Sequence, residues 1–384
     1  MKIILVTNIC RDLYYSKALI QDFVASGWEV TVFANPDDTV PLMEKICAYK
    51  PVHFFPRGTN VFSEWKLLRL LKALLKAEKP DCVLLFNAKP VIYGGLAARS
   101  LGIPALVNMT GLGRVYLKKS LLQSLLSFLY SRVLKARHTF TFFANPDDRA
   151  LFLKKGIVLD SNSVVVPGTG VDIQYYKRTT PLEQADICEK ITRFVYAGRL
   201  LVSKGLVEYL NASRQLKRIY GDRVSCAVLG KFEDTKTDDA DVISQSFVDE
   251  YIQDGSIVYE GFITDIKTYL ETKADVVVLP SYREGVPRIL LQAMALECAL
   301  IGADTPGTRV PIFDGKNGFL CRPKDTADLL QKMISYLNLT QDEKYTMRKT
   351  SRLLAETHFD EKRVIQLHKE KITELVNKKG LKQH

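Results

Sequence analysis

The sequence predicts an α/β protein built from two doubly wound domains with parallel sheets, facing each other across a cleft. Three observations carry this. Short apolar runs of strand length alternate with helical stretches along both halves of the chain. The alternation breaks at the turn-rich Pro167-Gly168-Thr169-Gly170-Val171-Asp172 and the polar stretch that follows it. The length, 384 residues, suits two domains of ordinary size.

The first domain, 1–172, opens with a buried strand at 2–7. It has neither the length nor the small-residue cleavage site of a signal peptide. A helix follows over 15–26, a strand at 28–34, an amphipathic helix over 65–78 and a strand at 82–86. The series continues with a helix at 91–101, a strand at 105–108, a long helix near 121–135 and a strand at 139–144. A linker is placed at 173–192. The second domain, 193–360, repeats the scheme with strands at 193–196, 225–229, 257–260, 276–279 and 299–303. Its helices fall at 205–220, 242–254, 266–272 and 288–297. Residues 361–384 form a charged helix expected to pack back on the first domain. Strand–helix alternation of this kind demands parallel strands covered by helices on both faces.

Composition narrows the function. A hydrophobic share of 47% supplies real cores, and a charged share of 25% is that of an ordinary soluble chain. The apolar run at 121–130 is too short to span a bilayer. Seven cysteines without a CxxC pair fit a reducing compartment rather than a disulfide or zinc framework. The net charge of +11 is uneven: residues 1–172 hold 22 Lys/Arg against 13 Asp/Glu, a surplus of nine, and the rest hold 32 against 30. The first half is therefore suited to something anionic. No nucleic-acid-binding signature accompanies the charge, and a lipid surface or a phosphorylated substrate accounts for it as well.

The segment 280–295 is the most informative. After the apolar strand 276–279 the chain turns on Pro280, Ser281 and Gly285, then opens a helix. This sets Glu284 in a loop at the carboxyl end of a buried strand, with the backbone N–H groups of the next helix, whose N-terminus lies near 286–289, aimed at the same place. Ligands of open α/β sheets bind there, and helix starts favour phosphates. An ordinary strand–turn–helix joint would read the same way. Gly198-Arg199 and Lys204-Gly205, after the strand at 193–196, add two fixed cations suited to a diphosphate; taken alone they are equally a solvated loop. No GxGxxG follows the first strand, where Asn8-Ile9-Cys10-Arg11 stands, and no GxxxxGK[ST] occurs. Asp238-Asp239-Ala240-Asp241 reads as a solvated acidic loop, and the five histidines lack metal-ligand spacing, so no metal site is expected.

Together these motifs resemble the retaining glycosyltransferases of family 4, which have the GT-B fold of two Rossmann-like domains. The subgroup resembled acts on lipid-linked oligosaccharides and surface polysaccharides. The resemblance covers nearly the whole chain. It implies that Gly198, Arg199, Lys204 and Gly205 hold the diphosphate of a nucleotide sugar. In the family's Glu-x7-Glu motif the first Glu contacts the donor sugar and the second holds the ribose. Glu284 matches the first, but Gln292 stands at the second, without a charge-assisted bond to offer. Gly230, Phe262, Gly285, Val286 and Pro287 join the donor side by the same resemblance. Asn8, Asn87, Lys89, Thr110 and Gly111 join the acceptor side, within 87–99 and 109–113. Gly168, Gly170, Val171 and Asp172 match the subgroup's GxGVD exit. Phe86-Asn87-Ala88 lacks the histidine many relatives carry before the lysine, and the glycine-rich first loop is missing.

The resemblance implies transfer of a hexose or N-acetylhexosamine from a nucleotide sugar, UDP by default, to a lipid-diphosphate-linked saccharide. It implies no cofactor and no metal. Arg199, Lys204 and the helix start would stabilise the leaving diphosphate, and Glu284 would orient the sugar. The setting would be cytoplasmic, peripheral to the inner face of the membrane. The stretches 66–76 and 117–130 mix apolar and basic residues at helical spacing. They are read either as membrane-surface contacts or as helices packed on the sheet with solvated lysines. Two other functions fit the scaffold: a sugar-nucleotide epimerase, and a catalytically weak binding subunit of a polysaccharide assembly complex.

Overall fold

A computed structural model describes residues 1–55, 61–116, 120–183, 191–232 and 240–380. The chain divides into two compact units, Met1–Thr169 with Lys362–His384, and Gly170–Glu361.

The first unit holds a seven-stranded sheet of β1 (Lys2–Ile9), β2 (Glu29–Asn35), β3 (Ala48–Pro51), β4 (Cys82–Phe86), β5 (Ala105–Met109), β6 (Thr139–Phe143) and β7 (Ser163–Val165). Its order is β3-β2-β1-β4-β5-β6-β7, and the paired strands run parallel. Helices α1 (Cys10–Tyr14), α2 (Lys17–Ala25), α3 (Val40–Met43), α4 (Val61–Glu78), α5 (Gly95–Ser100), α6 (Leu121–Leu134) and α7 (Pro146–Lys154) belong to it. The central strands are mostly apolar because both faces are covered. Ile4, Val6, Val83 and Leu85 enter one core, and Ile3, Leu5, Leu84 and Leu106 the other. The C-terminal helix Glu361–Gly380 closes the second face, with Ile372 and Leu375 buried beside Phe142 and Val166.

The second unit holds a six-stranded parallel sheet, β8 (Thr192–Ala197), β9 (Val224–Leu229), β10 (Val258–Gly261), β11 (Val276–Leu279), β12 (Ala299–Ala303) and β13 (Gly318–Cys321), in the order β10-β9-β8-β11-β12-β13. Around it lie α8 (Leu206–Tyr220), α9 (Gln245–Gln253), α10 (Ile266–Lys273), α11 (Arg288–Ala295), α12 (Thr326–Leu337) and α13 (Gln341–His358). In each unit the strand order reverses next to the first strand, between β1 and β4 and between β8 and β11. At such a point the two outgoing loops diverge and leave a crevice.

The structure corrects several boundaries. The helix expected over 15–26 runs from Lys17 to Ala25, and a short helix that the sequence reading does not contain, α1, precedes it directly out of β1. The helix expected over 91–101 begins as a π-turn, Pro90–Gly94. The helix expected from 242 starts at Gln245, where Ser244 caps it by accepting from the Phe247 N–H at 3.3 Å. Val242 instead bridges to Leu201. The strands β3, β7 and β13 and the helices α3 and α7 were not foreseen; they are short or carry few apolar residues. The expected linker 173–192 starts too late. The boundary falls at 169/170, and the residues just beyond it are fastened within the second unit. Arg352 donates to the carbonyls of Ile173 and Tyr176, and Thr179 to Glu271. Residues 184–190 of that linker, like Leu117-Lys118-Lys119 and Asp238-Asp239, lie outside the described residues. Within 66–76, Leu67, Leu71 and Leu75 are buried while Lys66, Lys72 and Lys76 face solvent, the pattern of a helix packed on the sheet.

The first unit buries a histidine. His368, on the C-terminal helix, is 4% exposed, with Nδ1 2.8 Å from the Val364 carbonyl and Nε2 2.7 Å from Asn108 Oδ1. A carbonyl only accepts, so Nδ1 carries the proton of the neutral ring and Nε2 presents a lone pair, which the Asn108 amide satisfies when its oxygen and its otherwise unpartnered nitrogen exchange places. Burial lowers the imidazole to about 4. The unfolded chain takes up a proton below about 6.5 and the folded chain does not until about 4. Stability is therefore full above pH 6.5 and falls as the pH drops through that window. Urea titrations at pH 7 and pH 5 should show wild type losing about 2 kcal/mol more than His368→Gln.

Candidate functional site

The reversal between β8 and β11 is where the predicted diphosphate residues meet. The loop leaving β8 carries Gly198, Arg199 and a short 3-10 turn, Val202–Lys204, that ends on Gly205 at φ 74°. A Cβ on Gly205 would sit 2.2 Å from the Pro280 carbonyl oxygen, so only glycine lets this loop touch the one leaving β11. The two loops are stitched together. The Tyr282 N–H donates to the Ser203 carbonyl at 2.9 Å, and Ser281 Oγ to the Lys204 carbonyl at 3.4 Å. Lys204 Nζ pairs with Glu284 Oε1, the side chains 20% and 14% exposed. The Glu284 backbone is held by its N–H to the Pro306 carbonyl at 3.0 Å. It also lies against Gly307, at φ 81°, where a Cβ would fall 2.3 Å from the Glu284 oxygen.

The cationic loop has its own supports, which the motif reading missed. Asp241 accepts from the Ser203 N–H at 2.6 Å and from Ser203 Oγ at 2.7 Å, and its carbonyl accepts from the Val202 N–H at 2.8 Å. Sequence alone places Asp241 in a solvated acidic loop; its value as a brace depends on a pairing 38 residues away. Tyr196 Oη donates to the Arg199 carbonyl at 2.8 Å. Burial, then the charge of Glu284, pushes that phenol well above its ordinary range, which keeps it a donor. Tyr282 donates to the buried Glu208 at 2.7 Å. Arg199 itself is exposed on the loop.

Helix α11 begins on the buried Pro287, which offers no side-chain cap, directly after Gly285 and Val286. Its Gln292 donates through Nε2 to Tyr176 Oη at 2.7 Å. Gly198 is not itself crowded: a Cβ there would meet nothing nearer than 3.5 Å. The close approach falls on Gly230, at φ 156°, where a Cβ would lie 2.1 Å from the Gly198 oxygen. Phe262 is exposed just past β10, two strands removed from β8.

In the first unit, Asn8 and Asn87 meet at the reversal between β1 and β4. Asn87, at φ 63°, accepts through Oδ1 from Thr7 Oγ1 at 2.5 Å and from the Asn8 N–H at 3.2 Å. Lys89 pairs with Glu64 of α4, a partner that sequence spacing gave no means of finding. Thr110 is exposed at the end of β5, followed by Gly111 at φ 140°. Among the described residues, no group of three or more His, Cys, Asp or Glu could hold a metal ion.

Residues 14–175 match the family described as Glycosyltransferase Family 4, and residues 179–352 match Glycosyl transferases group 1. A Campylobacter jejuni protein named N,N'-diacetylbacillosaminyl-diphospho-undecaprenol alpha-1,3-N-acetylgalactosaminyltransferase is 25% identical, covering 82% of this chain and 83% of its own. An Escherichia coli protein named UDP-Gal:alpha-D-GlcNAc-diphosphoundecaprenol alpha-1,3-galactosyltransferase is 24% identical, covering 72% of each chain. The solved structure of Anabaena HepE in complex with UDP and glucose matches with a TM-score of 0.77 at 17% identity. It covers 97% of this chain and 100% of its own, and it shows the same fold.

The glycine geometry predicts an asymmetry. Gly205→Ala forces both a positive φ and a backbone collision, and should lower unfolding stability by about 2–3 kcal/mol. Gly198→Ala, with room for a methyl, should cost less than about 1 kcal/mol. Denaturant melts of the two variants read this directly.

Proposed function

The chain belongs to glycosyltransferase family 4, and from that premise we propose that it transfers a hexose or N-acetylhexosamine, with retention, from a UDP-sugar to a lipid-diphosphate-linked saccharide in surface polysaccharide synthesis. Its fold is GT-B and its class glycosyltransferase. The observation that carries the reading is the meeting of Lys204 with Glu284 at the strand reversal of the second unit, beside Arg199 and the start of α11. The named activities of the relatives support the substrate classes.

The chemistry follows from charge. Breaking the anomeric C–O bond leaves negative charge on the departing diphosphate. Arg199, Lys204 and the N–H groups opening α11 stabilise that charge more as it grows, so they lower the barrier and not merely the ground state. No metal is needed for this step. Lys204 and Glu284 hold each other in a half-buried place where either alone would be costly. The donor would replace that pairing twice over, phosphate oxygens for Lys204 and sugar hydroxyls for Glu284. Gln292 would hold the ribose. The acceptor hydroxyl attacks the same face from which the diphosphate leaves and passes its proton to a diphosphate oxygen, forming the new glycosidic bond with retention. Asn8, Asn87, Lys89, Thr110 and Gly111 line the acceptor side in this reading.

No helix among the described residues is long and apolar enough to cross a membrane. Instead α6 exposes Leu121, Leu125 and Phe128 at successive turns, with Leu121 91% exposed. The nine surplus charges of residues 1–172 would complement anionic headgroups. This supports a peripheral seat on the inner membrane face for α6, where a lipid-borne acceptor is found.

The reading is tested by incubating the protein with UDP-sugars and a polyprenyl-diphosphate-linked sugar, then examining the lipid fraction. A glycolipid lengthened by one sugar, with the donor's anomeric configuration, is expected; no transfer from any nucleotide sugar would sink the proposal. Arg199→Ala should lower kcat by roughly 10²–10³-fold, and a wild-type rate in that variant would remove the diphosphate assignment. In flotation with anionic vesicles at low salt, Leu125→Glu with Phe128→Glu should leave most of the protein unbound, while wild type rises with the lipid.

A further inference from the structure

Tyr176 lies outside every motif, yet the structure holds it against the helix that bears Gln292. Gln292 Nε2 donates to Tyr176 Oη at 2.7 Å. The backbone around Tyr176 is fixed on several sides. Asp172 Oδ1 accepts from the N–H groups of Gln174 and Tyr175 at 2.9 and 2.8 Å, and the Tyr176 N–H donates to the Asp172 carbonyl at 2.9 Å. The Tyr175 ring meets the Tyr176 ring edge-on at 4.9 Å. Arg352 donates to the Tyr176 carbonyl at 2.9 Å, and to the carbonyls of Ile173 and Ala295 at 2.8 Å each. Ala295 is the last residue of α11. One guanidinium thus fastens both the tyrosine's backbone and the end of the helix carrying its partner, so the phenol and the amide are set before any ligand arrives.

A phenol and an amide joined in this way keep complementary valences. With Nε2 donating to Oη, Gln292 retains Oε1 as an acceptor and Tyr176 retains its own O–H as a donor. Turning the amide over exchanges the roles but still leaves donor capacity and acceptor capacity side by side. A carboxylate at 292 could only accept. A vicinal diol presents two hydroxyls, each able to do both, and therefore fits the neutral pair.

We propose that Tyr176 and Gln292 act as one uncharged reader of the ribose diol of the donor nucleotide, with Tyr176 the specificity-determining member. This rests on the donor site assigned above. The preference for a ribonucleotide donor over its 2′-deoxy counterpart then lies in this pair, because a 2′-deoxy nucleotide leaves one member of it unmet. Burial also raises the Tyr176 phenol above its ordinary value, with Arg288 pulling the other way. The pair therefore stays neutral through physiological pH.

Calorimetric titration of the full chain with UDP and with 2′-deoxy-UDP tests this. Wild type should favour UDP by about tenfold. Tyr176→Phe should weaken UDP by a similar factor, leave 2′-deoxy-UDP nearly unchanged and bring the ratio close to one. In turnover the donor KM should rise with kcat held within about threefold, the mark of lost uniform binding. Gln292→Glu placed on Tyr176→Phe should restore the preference, since a carboxylate accepts from both hydroxyls by itself. Each ratio is taken within one protein, so a misfolded fraction cancels. An unchanged ratio in Tyr176→Phe, or a wild type indifferent to the 2′-hydroxyl, overturns the role of Tyr176 while leaving nucleotide binding intact. A wild type that binds no UDP defeats the UDP-sugar reading, and this inference with it.

Discussion

The space where a side chain on Gly205 would stand is filled by the backbone of Pro280. That one steric fact lets the loops leaving β8 and β11 touch. Their contact brings Lys204 beside Glu284 across 80 residues of sequence. An ammonium and a carboxylate this far out of water are tolerable only as a pair or with a charged ligand in the partner's place. The missing Cβ therefore does more than permit a turn: it creates a place where charge must be answered by charge, at the edge of the sheet where the strand order reverses.

The supports of that place are arranged in depth. Asp241 fixes Ser203 by both backbone and hydroxyl, so Lys204, the next residue, leaves a turn that is already rigid. On the other side, α11 is positioned from behind by α13. Arg348 is buried, donating to Asp275 at 2.7 Å and to the Glu297 carbonyl at 2.8 Å, and Arg352 holds the Ala295 carbonyl. Desolvation opposes the charge on Arg348, and Asp275 is what sustains it. Two arginines on one helix thus set the register of the helix whose start faces the candidate diphosphate site.

The residues divide by how much of this a sequence can express. The β8 and β11 runs, the helix after Pro287, and the cations at 199 and 204 were legible because each is a local pattern: apolar run, turn residues, then charge. The pairing of Glu284 with Lys204 was inferable only because both follow strands of one parallel sheet. Asp241, Glu208 and Tyr176 were not legible, because their roles depend on contacts 38, 74 and 116 residues away. Gly198 shows the same limit from the other direction. A glycine beside an arginine invites the reading of a tight approach, yet the crowded glycines are 205 and 230. Lys89 reads as a solitary cation until α4 folds Glu64 against it. The boundary between units was misjudged for a related reason: polar, charged composition after Asp172 resembles a linker, while Arg352 turns that segment into part of the second unit.

Charge does different work in the two halves of the chain. The stretch 1–172 carries a surplus of nine positive charges and the remainder only two, although the candidate diphosphate site lies in the latter. Recognition there cannot rest on a diffuse field, which salt screens within about 8 Å. In the proposed reading it rests on cations held at fixed positions and on the opening of a helix, whose effect survives because the site is partly out of water. A scattered surplus is poorly suited to gripping one diphosphate but well suited to a broad anionic surface, where many weak attractions add. The exposed leucines and phenylalanine of α6 belong to that same stretch of chain. Local cations suit the proposed small ligand, then, and summed charge with exposed apolar side chains suits a large surface. This division explains why the net charge of the whole chain is no guide to where its fixed, paired cations sit.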